Sequence, residues 1–380
     1  MYVDTPSTPQ DSGRPEHPGK ALRRMIDAKG LTQEGLADII GCSRQTVNGI
    51  TSGKSGITAE MAVSFAAVFG NQPSDWLKWD AEYQLSLVVN DKDAVSRRAR
   101  LYELAPIREM QKRGWIKDTN DLGELEAELT RFFGGSITDG VTFPVATRRG
   151  DPLADLSPAE RVWCFRARQL AEGMPLTAEF SQDRLVAAEK KLRQLAAYPK
   201  EVQRLSQVLA CCGIRFVIVE PLSGAKIDGA AFWLDDSPVI AVSARWDRID
   251  AFWFTVMHEF MHIKNGDAYS IDVNLLQEAD SGIVVAVADD AAETRANKQA
   301  SELLVPQAEL ESFIRRVSPL YAATRIIQFA HRVQMHPGII VGQLQHRGEL
   351  RYSAHRDLLV KIRSLVTDTA ITDGWGHSMS

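Results

Sequence analysis

His258 and His262 stand four residues apart with Glu259 directly after the first of them. On an α-helix that spacing separates two side chains by about 40° in azimuth and one turn in height, so both imidazoles reach one metal ion. Two histidines and one further ligand around a tetrahedral Zn²⁺ leave a coordination position open to water. Bound zinc brings the pKa of that water down to about 7, and Glu259 lies where a carboxylate can take its proton as general base. The chemistry this spacing predicts is zinc-assisted hydrolysis.

A catalytic zinc needs a third protein ligand. Glu293, in Asp289-Asp290-Ala291-Ala292-Glu293-Thr294-Arg295-Ala296-Asn297, is the candidate. On a helix, Glu293, Ala296, Ala300 and Leu304 share one stripe, and the alanines allow a close approach to the metal helix. Asp290-x-x-Glu293 is also a capping-box spacing, and Glu278 and Asp280 in the preceding stretch are the alternative ligands.

The elements that must carry these residues are legible around them. IDAFWFTVMHEFMHIKNG reads as one helix, with Asp250 as N-cap and Asn265-Gly266 as stop. Phe252, Trp253, Phe254, Val256 and Met257 make it apolar nearly all round and therefore buried. Two histidines and a glutamate on a buried helix need partners, because unpaired buried polar groups are costly. Upstream, IRFVIVEPL, AAFWL and PVIAVS read as short strands. Residues 266–289 read as a loop and 290–304 as a helix.

A second constellation lies near the N-terminus, in LTQEGLADIIGCSRQTVNGITSGK. Thr32 and Ser43 open two short helices, and Gly41 turns between them. Leu36, Ala37, Ile40, Val47 and Ile50 form a small core that sets the crossing angle. Arg44, Gln45 and Asn48 then lie outward near the start of the second helix, where such side chains contact base edges in the major groove. Residues 20–54 hold six Lys/Arg, among them Lys54, against three Asp/Glu. That local excess suits phosphate contact, although the whole chain of 380 residues carries a formal charge of −5.

The length allows two or three domains. With 44% hydrophobic and 24% charged residues, the composition is that of a soluble globular chain. No apolar run approaches the roughly 20 residues a membrane helix needs, so no membrane association is expected. Four cysteines, two of them adjacent (Cys211 and Cys212), make no disulfide framework and predict a reducing, cytoplasmic setting. The expected fold class is α+β multidomain. Residues 1–16 read as a disordered lead-in, 17–83 as the helix-turn-helix domain, 84–200 as a helical connecting region, 201–310 as the hydrolase domain and 311–380 as a helical C-terminal region.

Two resemblances sharpen these expectations. The segment from His17-Pro18-Gly19 through ITAEMA to the W-L-x-x-x-x-x-Y ending closely resembles the HigA-type antitoxins of the XRE helix-turn-helix class. That resemblance implies a five-helix, dimeric domain that binds a palindromic operator and often a toxin. Residues 205–306 resemble the IrrE/ImmA metallopeptidases, through the strand region, WFTVMHEFMHIKNGD and ETRANKQASELLVP. This second resemblance implies a zincin-like fold, places the third zinc ligand on Glu293, and implies cleavage of a partner transcriptional repressor. Met261 stands where that family usually has glycine and Gln299 where it has phenylalanine. Strand AAFWL or PVIAVS would hold an extended substrate by β-addition. Tyr269 and Tyr321 are candidates for transition-state stabilisation, and His331, His336, His346 and His355 are read as surface or capping groups. The expected function is a DNA-binding regulator with zinc endopeptidase activity. The alternative is an antitoxin-like repressor whose peptidase-like domain only binds or senses.

Overall fold

The computed structural model describes residues 15–87, 92–137, 156–267, 269–273, 276–279, 282–285 and 291–377. The chain divides into two compact units, residues 1–95 and 96–380. No helix among the described residues is long and apolar enough to cross a membrane.

The first unit is helical: α1 (Pro18–Ala28), α2 (Gln33–Ile40), α3 (Arg44–Thr51), α4 (Ala59–Phe69) and α5 (Pro73–Leu87). Leu22, Leu36, Val47, Phe65 and Trp76 are fully buried and tie the five together. Close approach is built in at Gly19, where a Cβ would fall 1.8 Å from the Ile50 carbonyl oxygen, so α1 rests on the backbone of α3.

Helix α6 (Lys92–Leu104) crosses the boundary, and the second unit continues with α7 (Ile107–Lys112), α8 (Leu122–Phe133), α9 (Pro158–Glu172), α10 (Gln182–Leu195) and α11 (Leu205–Ala210). Strands β1 (Arg215–Val219), β2 (Ile227–Leu234) and β3 (Ser237–Val242) follow, then α12 (Ile249–Asn265). Next come β4 (Tyr269–Val273), β5 (Leu276–Ala279), β6 (Gly282–Val285) and α13 (Ala291–Leu304). The C-terminal part holds α14 (Gln307–Val317), α15 (Ala323–Arg332), α16 (Pro337–His346), α17 (Arg363–Thr367) and β7 (Ile371–Asp373).

Five strands form one mixed sheet in the order β4-β2-β3-β1-β7, with β1 parallel to β3 and β7, and β2 antiparallel to β3 and β4. The β2–β3 hairpin turns through Asp235-Asp236, and Asp235 takes φ 52°, as a two-residue loop between twisted strands requires. Alternation along the strands divides the core into two layers. Phe216, Ile218, Ala231, Ile240 and Val242 face α10, α11, α12 and α13. Val217, Val219, Ala230, Phe232, Val239 and Ala241 face α7, α8 and α9. Both faces are covered, which explains why β1 and β3 read as continuous apolar runs.

Three expectations change here. The stretch expected as a loop at 266–289 contains strands β4, β5 and β6. The C-terminal region expected to be helical ends in β7, which completes the sheet beside β1. Residues 96–137 and 156–210 supply a layer on each face of that sheet, so the region read as connecting is part of the same compact unit. Distant segments meet at Asp373 of β7: it accepts from Trp115 Nε1 at 3.1 Å and pairs with Arg166 of α9.

Two helices begin identically. His17-Pro18-Gly19 opens α1 and His336-Pro337-Gly338 opens α16, with each imidazole Nδ1 accepting from the glycine N–H at 2.9 and 3.0 Å. An accepting Nδ1 carries no proton, and burial holds both imidazoles below the ordinary histidine range. Their stabilising contribution is therefore present above the unfolded pKa of about 6.5 and is lost as pH falls through the lower folded value. Acidifying from pH 7 to pH 5 should lower the unfolding temperature more in the wild type than in a His17→Asn, His336→Asn double variant. The asparagines keep a side-chain cap worth about 1 kcal/mol but do not titrate. Equal pH slopes in thermal denaturation followed by circular dichroism would refute this.

Candidate functional site

Helix α12 begins two residues earlier than the expected N-cap implies. Arg248 occupies the cap position, and Asp250, the expected N-cap, lies in the first turn and pairs with the Arg248 guanidinium at 2.6 Å. The stop is at Gly266, whose φ of 73° is the left-handed conformation glycine adopts without steric cost. Between these ends every residue from Ile249 to Ile263 is buried. The buried Phe252, Trp253, Val256, Met257 and Phe260 each stabilise that placement by about 1.5–3 kcal/mol.

On this helix His258, Glu259 and His262 are 0%, 0% and 1% exposed. His262 Nε2 lies 2.9 Å from His258 Nε2, and the two rings meet edge to face. Glu293 reaches in from the first turn of α13, with Oε2 3.1 Å from His258 Nε2 and Oε1 3.3 Å from His262 Nε2. Ala296 and Ala300, on the same side of α13, are fully buried, which permits the close approach of the helices. Burial works to raise the Glu293 carboxyl, but its hydrogen bonds with the two histidines outweigh that and hold it well below the usual range, as an anion.

Two nitrogens and a carboxylate oxygen thus converge on one point. Ligand atoms on a tetrahedral ion with bonds of about 2.0–2.1 Å stand about 3.3 Å apart, close to the separations found. Among the described residues His258, His262 and Glu293 are the one His/Cys/Asp/Glu group that could hold a metal ion. The Glu278 side chain and Asp280 lie outside the described residues, as does Asp290 of the expected capping box.

Glu259 is wedged by β2. A Cβ on Gly229 would fall 2.3 Å from Glu259 Oε1 and 2.8 Å from Thr255 Cγ2, so the strand backbone passes directly against the carboxylate. A glycine inside a strand signals such an approach, and this was the readable hint in IDGAAFWL. Also missed in the sequence were Asp267 and Arg295. Asp267 accepts from His262 Nδ1 at 2.9 Å, and its other oxygen takes the Arg295 guanidinium at 2.8 Å. The hint for Asp267 was its place directly after the helix-ending glycine.

Other candidates are used elsewhere. Tyr321 donates its hydroxyl to Glu349, and the side chain of Tyr269 lies outside the described residues. His336 caps α16 and His355 Nε2 bonds the Tyr321 carbonyl. Cys211 is exposed, and Cys212 is buried with its thiol directed at the Arg184 carbonyl. Met261 is buried, and Gln299 accepts from Asn265 Nδ2 at 2.7 Å. The β-addition expectation is overturned for both strands named, because β2 is paired with β3 and β4, and β3 with β1 and β2. Among the described strands the edge of the sheet beside β2 is β4.

In the first unit Thr32 Oγ1 accepts from the Gly35 N–H at 2.9 Å and Ser43 Oγ from the Thr46 N–H at 3.1 Å, capping α2 and α3. Gly41 between them takes φ 71°. With Val47 and Ile50 facing the core, Arg44, Gln45 and Asn48 on α3 are exposed, as is Lys54 just beyond it. Arg44 lies 3.9 Å from Glu34, an exposed pair that contributes little and leaves the guanidinium available.

A helix-turn-helix family profile matches residues 22–77, and the profile of the IrrE N-terminal-like domain, a peptidase family, matches residues 213–340. Virulence-associated protein A′ of Dichelobacter nodosus is 35% identical over 81 residues, spanning 21% of this chain and 70% of that protein. Antitoxin HigA-1 of Vibrio cholerae is 35% identical over 65 residues, 17% of this chain and 61% of that one. The solved structure of PA4674 from Pseudomonas aeruginosa in complex with its operator DNA is 31% identical, covering 21% of this chain and 89% of that chain with a TM-score of 0.20. Through its N-terminal part the chain therefore belongs to the helix-turn-helix family of virulence-associated protein A′, and its residues 213–340 match the IrrE N-terminal-like domain.

Proposed function

We propose that this chain is a DNA-binding regulator whose second unit is a zinc-dependent endopeptidase with a zincin-like centre. The observation that carries the reading is the convergence of His258, His262 and Glu293 beside a buried Glu259. The N,N,O donor set suits zinc better than calcium or magnesium, which prefer all-oxygen shells. Zinc held there supplies Lewis acidity and acidifies water. Glu259 takes a proton from the attacking water through a carboxylate oxygen and passes it to the leaving amide nitrogen. The close passage of Gly229 limits the positions that carboxylate can adopt. The proposed substrate is a partner protein, a transcriptional repressor, whose extended segment pairs with the edge strand β4.

The first unit directs this activity. Arg44, Gln45 and Asn48 read bases of a palindromic operator in the major groove and Lys54 contacts phosphate, with two copies of the chain on the two half-sites. The four free thiols suit a cytoplasmic setting, and a toxin is a further partner by likeness to the antitoxin. The complete His258-Glu259-His262 set favours an enzyme over a repressor that only senses.

The full chain should bind one Zn²⁺, measured by elemental analysis, and His258→Ala should lose it. Glu259→Ala should keep the metal yet cleave candidate repressors at least about 10²-fold more slowly; cleavage at the wild-type rate would sink the peptidase assignment. Gly229→Ala should behave like Glu259→Ala, retaining zinc while losing cleavage, since the new methyl displaces the carboxylate and not the ligands. For DNA, Arg44→Ala and Asn48→Ala should each weaken operator binding by about 1–3 kcal/mol. Lys54→Ala should instead reduce the slope of log affinity against log salt by about 1. An unchanged footprint and affinity in Arg44→Ala would remove α3 as the reading helix.

A further inference from the structure

The two helices that carry the metal ligands are separated in sequence by residues 266–290, so something besides chain connectivity has to hold them in register. Asp267 does this by touching both. Gly266 turns the chain back on itself, and the Asp267 N–H bonds the His262 carbonyl at 3.0 Å, which places the Asp267 side chain beneath the His262 ring. One carboxylate oxygen lies 2.9 Å from His262 Nδ1. The other lies 2.8 Å from the guanidinium of Arg295, two residues along α13 from Glu293.

The pair sets the orientation of the ring. A carboxylate only accepts, so Nδ1 is the donor toward Asp267, and that bond turns Nε2 toward His258 Nε2 and Glu293. That is the orientation a ligand bound through Nε2 requires. Building on the metal-centre reading above, we infer that Asp267 and Arg295 are positioning residues of the centre. Asp267 fixes the orientation of His262. Arg295 anchors Asp267 and, through it, holds the first turn of α13 where Glu293 reaches the histidines. Arg295 is 47% exposed and Asp267 18%, so water weakens the outer link more than the inner one.

The test is competition of the full-length chain with a chromophoric chelator for Zn²⁺. Carboxylate partners of ligating histidines are worth about 10- to 100-fold in metal affinity, and Asp267→Ala should lose that much. Asp267→Asn, whose Oδ1 still accepts from Nδ1–H, should recover most of it, and Arg295→Ala should cost a few-fold. Arg295→Ala should add nothing on top of Asp267→Ala. Wild-type affinity in a folded Asp267→Ala chain, no recovery in Asp267→Asn, or losses that multiply in the double variant would each overturn the positioning role while leaving the metal centre standing. Failure of the wild type to take up zinc would overturn the metal centre and this inference with it.

Discussion

The second unit is organised around one constraint: a helix buried from Ile249 to Ile263 carries two imidazoles and a carboxylate. Water cannot solvate these groups, so the fold has to bring partners to them. It does so with Glu293 across the two Nε2 atoms and Asp267 on Nδ1 of His262. Glu293 stays anionic there because its hydrogen bonds with the two imidazoles outweigh its burial.

Burying α12 so completely requires apolar surface on every side. The five-stranded sheet provides one wall, α10 and α13 and the C-terminal helices the others. That sheet needs cover on its opposite face, and α7 to α9 provide it. The region between the two recognisable motifs is thus a structural layer. Its hold on the C-terminal strand through Asp373, Trp115 and Arg166 brings together segments more than 200 residues apart in the chain. The price of this architecture is that the site depends on nearly the whole of residues 96–377.

The helix-turn-helix unit is built on the opposite economy. Its core is small, and its geometry comes from local devices: the Thr32 and Ser43 caps, the left-handed Gly41 and the Gly19 contact with α3. The caps and the Gly41 turn act within a few residues and could be read directly, together with the outward set of Arg44, Gln45 and Asn48, whereas the Gly19 contact joins residues 31 apart and could not.

What the amino-acid order determined alone is what depends on short-range periodicity. The placement of His258, Glu259 and His262 on one helix, the stop at Gly266, the strand runs and the caps of α2 and α3 all follow from spacing and residue type. Glu293 was legible as a candidate because its stripe of alanines marks a helix meant to lie close to another. Tertiary structure decided the rest. That β4 takes the edge beside β2, that β7 crosses from the C-terminus to β1, and that Gly229 passes against Glu259 depend on which surfaces meet. Asp267 and Arg295 gain their roles only when α13 docks, because a carboxylate and a guanidinium in an isolated chain carry no sign of the ring they will hold.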